Sequence, residues 1–131
     1  MNTNTNIIIA LGSNIEQESN MDYALELLRR LFGHISVTDK IWTEPMGIEV
    51  SADKFLNCII VTESKHGYDQ VYKAMKQIER KIGSYKSERR RGIVKIDIDI
   101  LKFGKSIYHA SDWERPYIQQ LLKQVPVALL E

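Results

Sequence analysis

The sequence predicts a single α+β domain of βαββαβ order, a sandwich whose four-stranded antiparallel sheet carries its helices on one face. Three observations predict it. Two stretches, one from Met21 and one from Asp69, space apolar residues three and four apart and end in glycine, the pattern of amphipathic helices. Four others are runs of β-branched and apolar residues or alternate them with polar ones, the pattern of strands. Finally, 131 residues with 44% hydrophobic content fit one compact core, so residues 1–131 are read as one domain.

Ile7 to Leu11 is a continuous apolar run closed by Gly12-Ser13-Asn14, a buried strand ending in a turn. From Met21, the positions Ala24, Leu25, Leu28, Leu31 and Phe32 make one apolar stripe, and Gly33 ends that helix. Ile35 to Trp42 puts Ile35, Val37, Asp39 and Ile41 on one parity, a half-exposed strand. Thr43 to Lys54 is long for a connection and carries Pro45 and Gly47, which marks it as a functional loop. Phe55 to Glu63 resumes strand. Asp69 to Gly83 is the second helix, Ser84 to Gly92 a basic loop, and Ile93 to Phe103 the fourth strand. A short helix over 113–124, stopped by Pro126, completes the chain. Both helices then share one face of the sheet and leave the other free for a ligand.

Composition excludes several classes. Apolar blocks are about ten residues or shorter, against the roughly 20 needed to cross a bilayer, and the start MNTNTN lacks the basic residues of a signal peptide. The expectation is a cytoplasmic protein without membrane partners. The lone Cys58 sits in an apolar run and reads as a small buried side chain. The net charge of +1 hides seven basic residues against one acid between Arg80 and Lys95, which is either a solvated loop or a seat for a polyanion.

The chemistry concentrates in Lys95-Ile96-Asp97-Ile98-Asp99-Ile100-Leu101. Strand alternation turns Lys95, Asp97 and Asp99 one way and the isoleucines into the core, with the two carboxylates roughly 7 Å apart at Cα. Like charges so close raise a pKa or destabilise the fold, and a divalent cation removes that cost. Two carboxylates, with water and phosphate filling the shell, suit Mg²⁺. A polar outer face in which Lys95 neutralises one Asp explains the pair equally well on spacing alone. The adjoining basic loop shifts the balance to phosphate chemistry, where positioning and charge neutralisation are what the protein supplies. Asn57, inside an apolar strand with Phe55 two residues away, either reads the edge of a stacked heterocycle or bonds the local backbone. Gln77 and Glu79 read as ordinary helix-surface residues, and His109 as a surface residue of the tail.

Five motifs occur in the order found in 6-hydroxymethyl-7,8-dihydropterin pyrophosphokinases: Ala10-Leu11-Gly12-Ser13-Asn14, Trp42-Thr43-Glu44-Pro45-Met46-Gly47, Phe55-Leu56-Asn57, Gln77-Ile78-Glu79, and Asp97-Ile98-Asp99-Ile100-Leu101 with Phe103-Gly104. The chain resembles that family over about residues 7–104, with 105–131 a shortened tail. The resemblance implies a ferredoxin-like fold and a monomeric cytosolic enzyme that moves an intact pyrophosphate from ATP to the pterin hydroxymethyl oxygen, releasing AMP. It implies that Asp97 and Asp99 bind two Mg²⁺ ions. By the same resemblance Thr43, Pro45, Met46, Phe55, Asn57 and Tyr117 contact the pterin. Gln77, Glu79, Lys86, Arg89, Arg90 and Ile100 serve ATP, and Arg91, Lys95 and Arg115 are the cations assigned to catalysis.

Two departures accompany it. The family's loop Trp and the Arg three residues later fall here on Arg91 and Val94, and its Pro-His segment has no match. A relative that binds nucleotide or pterin without catalysis is the alternative. RNA binding, the other use of this strand plan, is disfavoured because the exposed face of the fourth strand carries two acids.

Overall fold

The computed structural model describes residues 4–45 and 53–131. Its architecture is α+β with an open antiparallel sheet, consistent with the ferredoxin-like expectation. Strand β1 (Thr5–Ser13) lies at the centre, antiparallel to β4 (Phe55–Ser64) on one side and β5 (Asp97–Phe103) on the other. Outside β4 run β2 (Ser36–Val37) and β3 (Ile41–Thr43), and outside β5 runs the short β6 (Ser106–Ile107). Helices α1 (Gln17–Phe32) and α2 (Tyr68–Ile82) bury Met21, Leu25, Leu28, Val71 and Met75 against Ile7, Ile9, Leu11, Ile60 and Ile98.

Both helices end where their glycines predict. At the end of α2, Gly83 takes φ 96° and donates its N–H to the carbonyls of Glu79 and Arg80, a left-handed cap that costs other residues strain.

The opposite face is not free along its whole length, which corrects the expectation. Helix α4 (Pro116–Leu122) lies across one half of it, where Ile118, Leu121 and Leu122 pack with Ile8, Ile59 and Leu101. This second layer explains why Ile7 to Leu11 reads as a continuous apolar run: β1 is covered on both sides at its first half. A register shift between Ile8 and Ile9 leaves Leu101 without a partner on β1. Beyond that bulge Lys102 is buried, and its ammonium donates to the carbonyls of Leu129 and Glu131 at 2.8 and 2.9 Å.

The predicted strand over 35–42 is broken. Thr38 replaces a ladder carbonyl with its own hydroxyl, accepting the Ile59 N–H at 2.9 Å while its N–H donates to the Ile59 carbonyl. The break changes face: Ile35 and Val37 pack beneath the helices, whereas Ile41 joins the α4 layer. Alternation therefore fails across 38–40, because one side chain supplies what the backbone would. Two further bounds differ. The basic loop contains a short helix, α3 (Lys86–Arg89), and β5 starts at Asp97 rather than Ile93. No helix among the described residues is long and apolar enough to cross a membrane.

Candidate active site

The uncovered half of that face is a cavity of about 320 Å³, at the small end of ligand pockets, which run from about 300 Å³. Its floor is the second half of β1. Residues 8, 10 and 12 share this side of the strand, and the side chains shrink from Ile8 under α4 to Ala10 and then Gly12 in the cavity. Gly12 is paired with Asn57 on one flank and Asp97 on the other. A Cβ at Gly12 would stand 3.2 Å from Asn57 Oδ1 and 3.6 Å from the Phe55 ring, so the missing side chain is what keeps the floor low.

One wall comes from β3 and β4. Phe55 presents its ring, and the buried Asn57 donates from Nδ2 to Thr43 Oγ1 at 2.9 Å, to the Ile41 carbonyl at 3.2 Å and to the Phe55 carbonyl at 3.3 Å. The amide nitrogen is thus committed to the protein. Its oxygen faces the Gly12 floor, leaving an acceptor as what Asn57 offers a ligand.

The opposite wall is β5. Asp97, Asp99 and Leu101 project into the cavity, whereas Ile96, Ile98 and Ile100 go under the helices, as alternation requires. Asp99 is pushed up to about 6 by desolvation first and then by the Asp97 charge and Glu79; His109 and Lys76 pull the other way. His109 Nε2 lies 3.8 Å from Asp99 Oδ1, and His109 itself holds a left-handed backbone with φ 54°. Asp97 Oδ1 is buried, and among the described residues its partner is Arg89 Nη1, which lies against it as an ion pair.

Behind Asp97 stands Glu79. Its carboxylate accepts the Ile98 N–H at 2.8 Å and meets Lys76 at 3.2 Å and Arg89 at 3.4 Å. Arg89 also reaches Ser84 Oγ and the Ile96 carbonyl, at 3.4 and 3.3 Å. Sequence reasoning left Glu79 as a surface residue because it borders the apolar stripe of α2; the strand packed beside it buries it instead. Asn14 belongs to the first motif, and the sequence alone gives it no role. Its side chain donates to the Gly92 carbonyl and accepts the Val94 N–H, both at 2.7 Å, fixing the exit of the basic loop to the end of β1. An Asn just past a strand and a Gly-Ser turn is a recognisable signal for such backbone capping.

Of the residues singled out from the sequence, the cavity gathers Thr43, Phe55, Asn57, Arg89, Asp97, Asp99, Arg115 and Tyr117. Arg115 enters from the start of α4 and pairs with Asp112 at 3.1 Å, and burial pushes the neighbouring Tyr117 hydroxyl up. The others stand apart. Ile100 shares the parity of the core isoleucines and is buried beneath the helices. Gln77, Lys86, Arg90 and Arg91 are exposed, and Pro45 is half-buried without lining the cavity. Lys95 precedes β5, lies over Gly83 and pairs with Glu88 at 3.7 Å rather than beside the two aspartates. Met46 lies outside the described residues. Val94, in the place of the family's loop Arg, is buried and lines the cavity. Cys58 has its thiol pushed up to about 12 by burial and touches Met21, as expected of a packing residue.

Does this wall fit a divalent cation? Among the described residues no three His, Cys, Asp or Glu side chains form a ready cage. The donors are two carboxylates in one cavity, one with a buried oxygen that Arg89 covers and the other raised by burial and then by its neighbour's charge. Oxygen-only ligands and a shell open to water and phosphate fit Mg²⁺.

A sheet with two helices on one face and an open cavity on the other, walled by paired aspartates and an Asn-Phe pair, defines a small-molecule site of an α+β domain. A profile of the 7,8-dihydro-6-hydroxymethylpterin-pyrophosphokinase family matches residues 8–126, and the chain belongs to that family. It is 31% identical over 121 residues to the mitochondrial folate synthesis bifunctional protein of Pisum sativum, and 33% identical over 124 residues to the folate synthesis bifunctional protein of Arabidopsis thaliana. Each match covers 86% of this chain but only 23% and 25% of the respective relative, so the chain spans about a quarter of their length.

Proposed function

We propose that the chain transfers pyrophosphate from ATP to 6-hydroxymethyl-7,8-dihydropterin in folate synthesis, yielding AMP, and that it does so as a cytoplasmic monomer with Mg²⁺. The observation that carries this reading is the cavity itself, which sets Asp97 and Asp99 opposite Phe55 and Asn57 across a glycine floor. Pterin and phosphate chemistry need those two walls at one site.

In this reading Phe55 stacks on the pterin while Asn57 Oδ1 accepts a ring N–H, and Thr43 holds the amide in that orientation. Asp97 and Asp99 hold Mg²⁺, which, when bound, neutralises charge on the phosphate oxygens. Arg115, at the cavity edge, faces the same oxygens. The hydroxymethyl oxygen forms its bond to the β-phosphorus. The bond from that phosphorus to the α,β-bridging oxygen breaks, its electrons leave with AMP, and the hydroxyl proton passes to solvent. Holding two reactants in one orientation is the main contribution of the chain's own residues.

AMP production from ATP, Mg²⁺ and the hydroxymethyl pterin tests the reading, with Asp97→Ala and Asp99→Ala expected to lower the rate by about two orders of magnitude or more. ATP binding without AMP would instead favour a binding-only relative, a second reading supported by the buried Val94 where the family has its loop Arg.

A further inference from the structure

Seven basic residues lie between Arg80 and Lys95, but within the Lys86 to Arg91 part Arg89 is the one that lines the cavity; Lys86, Arg90 and Arg91 are exposed. The reason is local. Helix α3 is one turn long, and that turn directs position 89 toward β5 while 86 and 90 face water. There the guanidinium spans two acids from different elements, Glu79 of α2 and Asp97 of β5.

The arrangement divides the charges unequally. Glu79 keeps Lys76 and the Ile98 N–H if Arg89 leaves. Among the described residues Asp97 has no other ion pair, so Arg89 is the cation that covers its Oδ1. The guanidinium therefore sits against the oxygen that a divalent ion held by Asp97 would need. Its side chain is about a third exposed, so an exit toward the cavity is open. Arginine forks also suit phosphate oxygens, which such an exit would bring within reach.

We propose that Arg89 is a displaceable counter-cation, covering Asp97 while the site is empty and transferring to the phosphates when a divalent ion and a nucleoside triphosphate load. This rests on the reading above, since it takes Asp97 as a metal ligand. It also makes α3 the part of the basic loop that registers loading.

The test is a titration of nucleotide-free protein with Mn²⁺, read by the electron paramagnetic resonance of the free ion, beside calorimetry of a non-hydrolysable ATP analogue with Mg²⁺. Arg89→Met is expected to bind Mn²⁺ about 5- to 10-fold more tightly than wild type and the analogue about 10-fold more weakly. Lys81→Met, which removes the same charge from an exposed position on α2, is expected to change neither. The opposite signs separate displacement from a structural role, for which both affinities would fall. Equal or weaker Mn²⁺ binding by Arg89→Met overturns the proposal, as does an equal gain in Lys81→Met. If Arg89→Met does not fold, Arg89→Lys is read by the same criteria, because a point charge cannot span Glu79 and Asp97 as the fork does. Failure is assignable. Wild type that binds Mn²⁺ and makes AMP while the Arg89 variants leave Mn²⁺ affinity unchanged removes this inference alone; wild type that binds neither Mn²⁺ nor the analogue removes the functional reading with it.

Discussion

The two halves of the sheet face opposite α1 and α2 are built on the same three strands and end up as opposites. Under α4 the strands present Ile8, Ile59 and, at the border with the cavity, Leu101, and the half is packed and closed. A few residues along, the same strands present Gly12, Asn57, Asp97 and Asp99, and the half is open and carries polar and charged groups among apolar ones. The backbone is common to both, so side-chain volume and charge alone decide which half stabilises the domain and which is left able to bind. The open half carries charges that the fold itself does not need, and Asp99 shows the cost, raised to about 6 by burial and by Asp97.

The largest expected effect comes from removing those charges. Asp97→Asn and Asp99→Asn should each lower AMP formation by about 10²-fold or more, and Asp99→Asn should leave the melting temperature equal or higher, because its repulsion with Asp97 goes with the charge. A large loss of stability in Asp99→Asn would erase the contrast between the halves. In the closed half, Leu121→Ala is expected to cost about 2–5 kcal/mol by denaturant titration, since Leu121 is fully buried there. A cost under about 1 kcal/mol would mean α4 is not a working layer of the core. Smaller still, Gly12→Ala places a methyl 3.2 Å from Asn57 Oδ1. Calorimetry should find pterin affinity reduced about 10-fold, or about 1.4 kcal/mol, with ATP affinity nearly unchanged.

An effect of comparable size to that of Gly12→Ala is in pH. Asp99 in the folded chain holds its proton more tightly than in the unfolded one, so its contribution is fully present below about 3.8 and is lost as pH rises through about 6. In metal-free protein the stability of wild type relative to Asp99→Asn should therefore fall between those values, by about 1–2 kcal/mol after allowance for solvent at a partly exposed group. Denaturant titrations of both proteins across that range measure it; a difference that is flat or rises with pH contradicts the environment described for Asp99.

The sequence was legible where one local rule governs. Helix periodicity with terminal glycines located α1 and α2, and strand alternation separated Asp97 and Asp99 from Ile96, Ile98 and Ile100. It was illegible where a side chain overrides the rule or where a choice depends on packing. Thr38 stands in for a backbone carbonyl and reverses the faces on either side of it. Three successive arginines look alike until a single helical turn points Arg89 inward. The tail helix could be read, but not that it would roof half a sheet, and Glu79 looked solvated until β5 was laid beside it.

Asn14 grips the chain at Gly92 and Val94 through three bonds, its own backbone N–H included. The segment carrying Arg89 is consequently tied at its far end, so any displacement of Arg89 from Asp97 has to be taken up between the glycine cap of α2 and Gly92. An insertion on the near side of Arg89 lengthens that arm, whereas severing the Asn14 grip lets the whole span drift and unties metal loading from loop position.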